Sequence, residues 1–256
     1  MRAGYFSTAG WTETGGLGSF LTKLRADVEW HRCFPAVNKP APKLGRVVAA
    51  PIPTQAGTTG EPLISAMVDR LRSFWSGDRC PFDFLLVVDD ADCRFEDLPA
   101  FAVWKEQVQQ RVRDALGRDV PVFTLLASPE IEAWMVSDWD ESFGRQYGHL
   151  AWALRRHVGL CILGGQPLNT IESFGARRPA GGCDRKLSRE LEDALAGVGA
   201  CACGSQANLA TAGRRYRKRL DGVEMLQRIR PPQVRDQCPA YFGPTYGTIL
   251  AFNPPP

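Results

Sequence analysis

FDFLLVVDDADC, residues 82–93, is an almost unbroken apolar run that ends abruptly in acids. A strand apolar on both faces belongs in the middle of a parallel sheet covered by helices on both sides. The carboxyl end of such a strand opens onto the crevice where α/β proteins bind ligands. Asp89, Asp90 and Asp92 fall at that end. In extended backbone residues two apart point the same way, so Asp90 and Asp92 are expected to converge. Two close carboxylates repel unless a cation lies between them. Mg2+, held by a few carboxylates plus water and phosphate oxygens, suits such a pair. A solvated turn is the plainer alternative.

Working outward, the same alternation recurs. Residues 3–9 read as a strand, and Leu17, Phe20, Leu21, Leu24 and Val28 repeat at helical spacing, predicting a helix over 15–30. The stretch 46–52 is a candidate strand, and Leu63 to Trp75 has a second helical pattern. After the central strand come a helix over 101–116, a buried strand VPVFTLLA and a helix in PEIEAWMVSD. The order predicts an α/β fold with a mostly parallel central sheet flanked by helices. Beyond about residue 145 the chain reads as helical and basic. The expected division is an α/β core over 1–145 and a basic helical extension over 146–256, packed on that core.

Charge follows this division. Residues 81–145 hold fourteen Asp/Glu against six Lys/Arg, whereas 177–235 hold thirteen Lys/Arg against six Asp/Glu. An acidic middle beside a basic C-terminal third suggests a cation site next to a polyanion-binding surface. RRYRKR, residues 214–219, concentrates Arg214, Arg215, Arg217, Lys218 and Arg219 around Tyr216. Those cations are expected to contact nucleic-acid phosphates, with Tyr216 stacking on a base or packing beneath them. Lys186 and the pair Arg177–Arg178 are further phosphate candidates. On the acidic side, SPEIEAW delivers Glu130 and Glu132 near the strand ends, where one could be a third acidic ligand or an orienting group. Glu130 is read as a first-turn helix acid, and Glu132 is the harder to dismiss.

Other chemistries find less support. No Cys-x-x-Cys pair exists, so zinc is disfavoured. The three histidines have no acid or nucleophile at useful spacing. The glycine-rich GGLG and ILGGQ lack the context of a phosphate-binding loop. No apolar run approaches the ~20 residues of a membrane span. The N-terminus has no secretory pattern, and the eight cysteines are expected to be reduced thiols of a cytoplasmic protein.

The order of these motifs resembles the Toprim domain. More closely, it resembles a family of small bacterial Toprim-like phage-defence proteins related to RloB and to the overcoming-lysogenization-defect (OLD) nucleases. The family's opening Glu-Gly-x-Thr-Glu falls on Ala9-Gly10-Trp11-Thr12-Glu13, followed by Phe20-Leu21. Its Asp-x-Asp falls on Asp90-Ala91-Asp92 and its Glu-x-Trp on Glu132-Ala133-Trp134. Tyr216-Arg217-Lys218, Asp221-Gly222 and CPAYF (238–242) match in style.

The resemblance implies a Mg2+- or Mn2+-dependent nuclease acting on DNA or on structured RNA such as tRNA. It implies catalysis by Glu13, Asp90, Asp92 and Glu132, with Asp90, Asp92 and Asp89 as metal ligands. It further implies an antiphage, abortive-infection role beside an ABC- or AAA-type ATPase, and leaves a homo-oligomer open. One departure matters: Ala9 stands where the family has its catalytic glutamate. This implies an inactivated variant, a degenerate core that binds without cutting, or a register in which Glu13 serves instead. A nucleic-acid-binding scaffold subunit and a phosphatase of the haloacid-dehalogenase type, with Asp90 as nucleophile, are the competing functions.

Overall fold

The computed structural model describes residues 1–38, 52–53, 57–178, 182–202 and 216–254. In chain order the strands are β1 (Arg2–Ser7), β2 (Glu29–Phe34), β3 (Val37–Asn38), β4 (Ile52–Pro53), β5 (Phe84–Asp90) and β6 (Val122–Ala127). The helices flanking them are α1 (Trp11–Leu24), α2 (Glu61–Trp75), α3 (Leu98–Leu116) and α4 (Glu132–Ser137). Toward the C-terminus follow α5 (Arg145–Tyr147), α6 (Ala151–His157), α7 (Leu187–Ala202), α8 (Val223–Arg228), α9 (Pro231–Gln237) and α10 (Phe242–Ala251).

The main sheet has the order β2-β1-β5-β6 and every pairing in it is parallel. This is the α/β layout expected from the sequence, and it is consistent with a Toprim-like arrangement. Strand β5 sits centrally, and its side chains alternate between two apolar layers. Leu85 and Val87 pack with α2 and α3, through Leu63, Met67 and Val112. Leu86 and Val88 pack with α1, α4 and the C-terminal helices, through Phe20, Trp134 and Phe242. The run is apolar throughout because helices cover both faces.

The C-terminal helices therefore share a core with the sheet. Helix α8 lies closest to α1, where Gly16 permits the approach: a Cβ there would sit 2.8 Å from Leu226 Cβ and 3.0 Å from the Val223 carbonyl. Glu172 fixes α10 by accepting amide hydrogens from Ala240, Tyr241 and Phe242 at 2.7, 3.0 and 3.3 Å. Among the described residues, no helix is long and apolar enough to cross a membrane.

Three local expectations change. The predicted helix over 15–30 ends at Leu24, and Glu29–Phe34 forms the edge strand β2. Val28 continued the helical spacing across the turn and masked the break. The candidate strand at 46–52 lies outside the described residues except Ile52, which with Pro53 pairs antiparallel to Val37–Asn38. Cys93 and Cys183 form a disulfide across 90 residues of sequence, so these two are not the reduced thiols expected. Cys33, Cys80, Cys161 and Cys238 are free.

Candidate active site

Three strand ends meet at one place. In register, Ser7 lies beside Val88 and Asp90 beside Ala127. Beyond the strands the pairing continues: Thr8 N–H donates to the Val88 carbonyl at 3.0 Å, and Ala91 N–H to that of Ala127 at 2.7 Å. The crevice that opens here has about 250 Å³ and is lined by Glu13, Asp90, Asp92, Glu130, Glu132, Lys186 and Lys218, with Thr8, Trp11 and Thr59 among its other walls.

Asp90 closes β5 on the α1 side of the sheet, continuing the parity of Leu86 and Val88. Burial raises its carboxyl well above the usual range, and the charges of Glu13, Glu132, Asp92 and Asp89 add to the effect. Asp92 lines the same crevice, as expected, but by a different route. Its backbone is left-handed, with φ 45°, so a turn and not strand alternation brings it beside Asp90. Lys186 Nζ donates to Asp92 Oδ1, placing one predicted phosphate-binding cation directly on the acidic cluster. Burial pulls the Lys186 ammonium down, but the Asp92 hydrogen bond and charge outweigh this and hold its pKa above the ordinary value.

Glu13 arrives from the first turn of α1 and is buried. Its carboxyl is pushed up to about 7, first by burial and then by Glu132 and Asp89, against the opposing pull of its own amide and Lys218. Gly10 makes room for it: a Cβ at position 10 would lie 2.0 Å from Glu13 Oε2. The glycine before α1 thus lets the carboxylate fold back over the strand end.

Glu132 and Glu130 form the opposite wall. Tyr216 O–H donates to Glu132 Oε1 at 3.0 Å, and Lys218 Nζ lies 3.1 Å from the same oxygen and 3.5 Å from Glu130 Oε2. Burial, then the Glu132 charge, raises the Glu130 carboxyl. Thr12 Oγ1 donates to the Lys218 carbonyl at 3.1 Å and ties this segment to α1. Glu13 Oε2, Glu130 Oε1 and Glu132 Oε2 are buried without a hydrogen-bond partner. Five carboxyl groups therefore face two ammonium groups. Buried anionic oxygens left unpaired are costly, and a proton or a cation relieves them.

Asp89 corrects its expected role as a metal ligand. It points to the α2 side, where it is fully buried and saturated. It accepts from Thr8 Oγ1 at 3.0 Å, Thr59 Oγ1 at 2.6 Å, Gly60 N–H at 3.0 Å and Asp90 N–H at 3.0 Å, and is ion-paired with Arg94. Its oxygens bind the strand end to the 59–60 loop.

Ala9 is a second correction. Its methyl is buried in the apolar layer with Phe6, Leu63 and Ile64, and it does not line the crevice. Strand β1 stops at Ser7, and Ala9 is bound by its amide and carbonyl to Thr58 and Gly57, both at 3.2 Å. The position is a core position, and the first-strand region supplies its carboxylate through Glu13.

The basic segment is also rearranged. Tyr216 is buried and bonded to Glu132, so it is unavailable to stack on a base. Burial, then Glu132, raises its hydroxyl well above the usual phenol range. Residues 216–217 are not helical, and a helical turn spans Lys218–Gly222. Arg217 pairs with Asp221 at 3.0 Å, while Arg219 stacks 4.2 Å over Trp11 at the crevice. Arg214 and Arg215 lie outside the described residues. Arg177 and Arg178 engage Glu96 and the Asp184 carbonyl, and neither lines the crevice.

Sequence reasoning missed Glu130, discounted as a helix-turn acid, although α4 begins only at Glu132. It also missed Trp11, whose place one residue after a strand-end glycine was the available signal. No protein-family model, curated protein or solved structure matches the chain.

A hard divalent cation fits this donor set. Every acidic donor in the crevice is a carboxylate, three of them carry unpaired buried oxygens, and among the described residues no thiol or imidazole lines it. Among the described residues no three such side chains form a ready-made cage. An open set of carboxylates suits Mg2+, which keeps several waters and uses one or two protein carboxylates.

Proposed function

We propose that the protein is a Mg2+- or Mn2+-dependent phosphodiester hydrolase acting on nucleic acid. The observation that carries this reading is the cluster of five carboxyl groups, three with unpaired buried oxygens, beside two lysines at the ends of parallel strands. Asp90 and Asp92 would hold the cation, with Glu13 and Glu132 completing its surroundings. When bound, the cation would neutralise phosphate charge and make a bound water more acidic.

The remaining work falls to the chain itself. Lys186 and Lys218, which line the crevice beside these carboxylates, would take phosphate oxygens. Glu13, buried at the crevice beside Asp90, is suited to accept the proton of the attacking water. That water's oxygen bonds to phosphorus as the bond to the leaving oxygen breaks. Tyr216 positions Glu132 through its hydroxyl. Arg219 on Trp11 presents a flat cationic surface to an incoming strand.

The scaffold alternative loses its motive, because Ala9 is not where the crevice needs a carboxylate. The antiphage role and the ATPase partner rest on the motif resemblance alone, and the cytoplasmic setting on the N-terminal sequence and the cysteine usage.

Incubating single-stranded and double-stranded DNA and structured RNA with the protein and Mg2+ or Mn2+ tests the reading. Cleavage is expected, abolished by chelation and lowered at least about 100-fold in Asp90→Asn and Glu13→Gln. Absence of cleavage on all substrates with both cations, or full activity in Asp90→Asn, would overturn it.

A further inference from the structure

A second and larger cavity, of about 490 Å³, lies immediately beside the crevice. Two stretches of chain connect their linings: Asp92 lines the crevice and Cys93 the cavity, while Glu130 lines the crevice and Ser128, two residues before it, the cavity. Consecutive Cα atoms are about 3.8 Å apart, so the two linings adjoin at Asp92–Cys93. Both stretches are also fixed. Cys93 is disulfide-bonded to Cys183, and Ser128 Oγ donates to the Glu172 carbonyl at 2.7 Å.

Three aromatic rings line this cavity: Phe95, Phe174 and Tyr241. Each is braced by a residue outside the lining. Arg94 lies 5.3 Å from the Phe95 ring, Arg185 4.9 Å from Phe174, and the Phe101 ring 5.5 Å from Tyr241. The polar groups suit a neutral ligand. Asn169 offers an uncharged donor and acceptor, and Ser173 an acceptor oxygen whose hydrogen goes to the Thr170 carbonyl at 2.8 Å. Glu96 and Arg177 neutralise each other at 2.9 Å, and the Glu172 carboxylate is taken up by three backbone amides. Rigid aromatic surfaces with neutral hydrogen-bonding groups are what an unstacked nucleobase requires.

We infer that this cavity receives one unpaired nucleobase of the strand whose phosphate lies in the carboxylate crevice. The inference rests on the hydrolase reading of the crevice and narrows its substrate to single-stranded or locally unpaired nucleic acid. The cavity takes the base, the crevice takes a phosphate beside it, and the Asp92–Cys93 turn separates them.

The test uses the full chain and short single-stranded oligonucleotides carrying one 2-aminopurine or one abasic unit at successive positions, with Ca2+ replacing Mg2+ during binding. At one position 2-aminopurine emission is expected to change on binding, and an abasic unit there to weaken binding about 10-fold. Tyr241→Leu, which keeps apolar bulk against Phe101, and Asn169→Ala, on the exposed rim, should weaken binding of the intact strand and leave the abasic strand unchanged. Equal affinity for intact and abasic strands at every position overturns the inference, as does equal weakening of both strands by the two variants. Cleavage of the same strands in Mg2+ is scored in parallel. Cleavage without base dependence removes the cavity's role and leaves the hydrolase; base-dependent binding without cleavage does the reverse.

Discussion

Asp89 and Asp90 are consecutive residues of one strand, yet they end in opposite environments. Asp89 turns toward α2, where two hydroxyls, two amides and Arg94 satisfy its oxygens. Asp90 turns toward α1, where burial and four neighbouring carboxylates raise its pKa. The alternation of side chains along β5 makes this difference. One carboxylate is spent on holding the strand end in shape, and the other is held in a state that a cation would relieve. Acidity at a strand end is thus two signals with two meanings, and the parity of the apolar residues before it tells them apart.

The strongest way to break this comparison is at Ala9. Ala9→Glu would drive a carboxylate into the apolar layer beneath α2, and we expect a loss of roughly 3–5 kcal/mol in urea unfolding with no gain of cleavage. A stable, more active Ala9→Glu protein would return the catalytic position to residue 9 and displace Glu13.

Substitutions at the two aspartates should differ in sign. Asp89→Ala leaves the half-buried Arg94 and the buried hydroxyl and amide donors without their acceptor, and should cost about 3 kcal/mol or more. Asp90→Asn replaces a carboxyl repelled by four neighbours with a neutral amide and should raise cation-free stability. Equal destabilisation by both would mean that Asp90 is a structural carboxylate as well.

The pH dependence sharpens the same contrast. In the fold Glu13 titrates at about 7 against an ordinary 4.5, and Asp90 is raised in the same direction. The unfolded chain therefore binds fewer protons across this window, and stability falls as pH rises from about 4.5 to about 7. In EDTA, denaturant midpoints measured along this range should decline by on the order of 3 kcal/mol for Glu13 alone, and Glu13→Gln should flatten the slope. A wild-type stability that rises across the window would contradict the buried, unneutralised carboxylates.

Gly10→Ala is the mildest test. The new methyl displaces only the flexible end of Glu13, so stability should change by less than about 1 kcal/mol. Cleavage should nevertheless fall, because the displaced group is the proposed base. Unchanged cleavage would mean that the position of the Glu13 carboxylate over Gly10 does not matter.

Much of this was readable from residues. The apolar run before Asp89 identified a central parallel strand, and its acidic end located the crevice. Strand-end reasoning points to Asp90 and Asp92, although a turn and not strand alternation carries Asp92 there; the motif resemblance singles out Glu132, and charge Lys186. What stayed hidden depended on where regular structure stops. Strand β1 ends at Ser7, and that turned Ala9 into the core and left Glu13 to reach the crevice. The 216–219 segment reads as part of a phosphate-binding basic run, but its tyrosine is a buried partner of Glu132 and its lysine a counter-ion to Glu130 and Glu132. Neither assignment follows without knowing that α8 packs against α1. The Cys93–Cys183 bond joins residues 90 apart in sequence, and spacing alone does not determine such a pairing.

The most direct test of the central claim is calorimetric titration of Mn2+ into the metal-free protein at pH 8, comparing wild type with Asp90→Asn and Asp89→Asn after confirming that each is folded. The account predicts saturable binding by wild type, at least about a tenfold loss in Asp90→Asn, and retained binding in Asp89→Asn. Wild-type affinity in Asp90→Asn, or no binding by wild type, would contradict it.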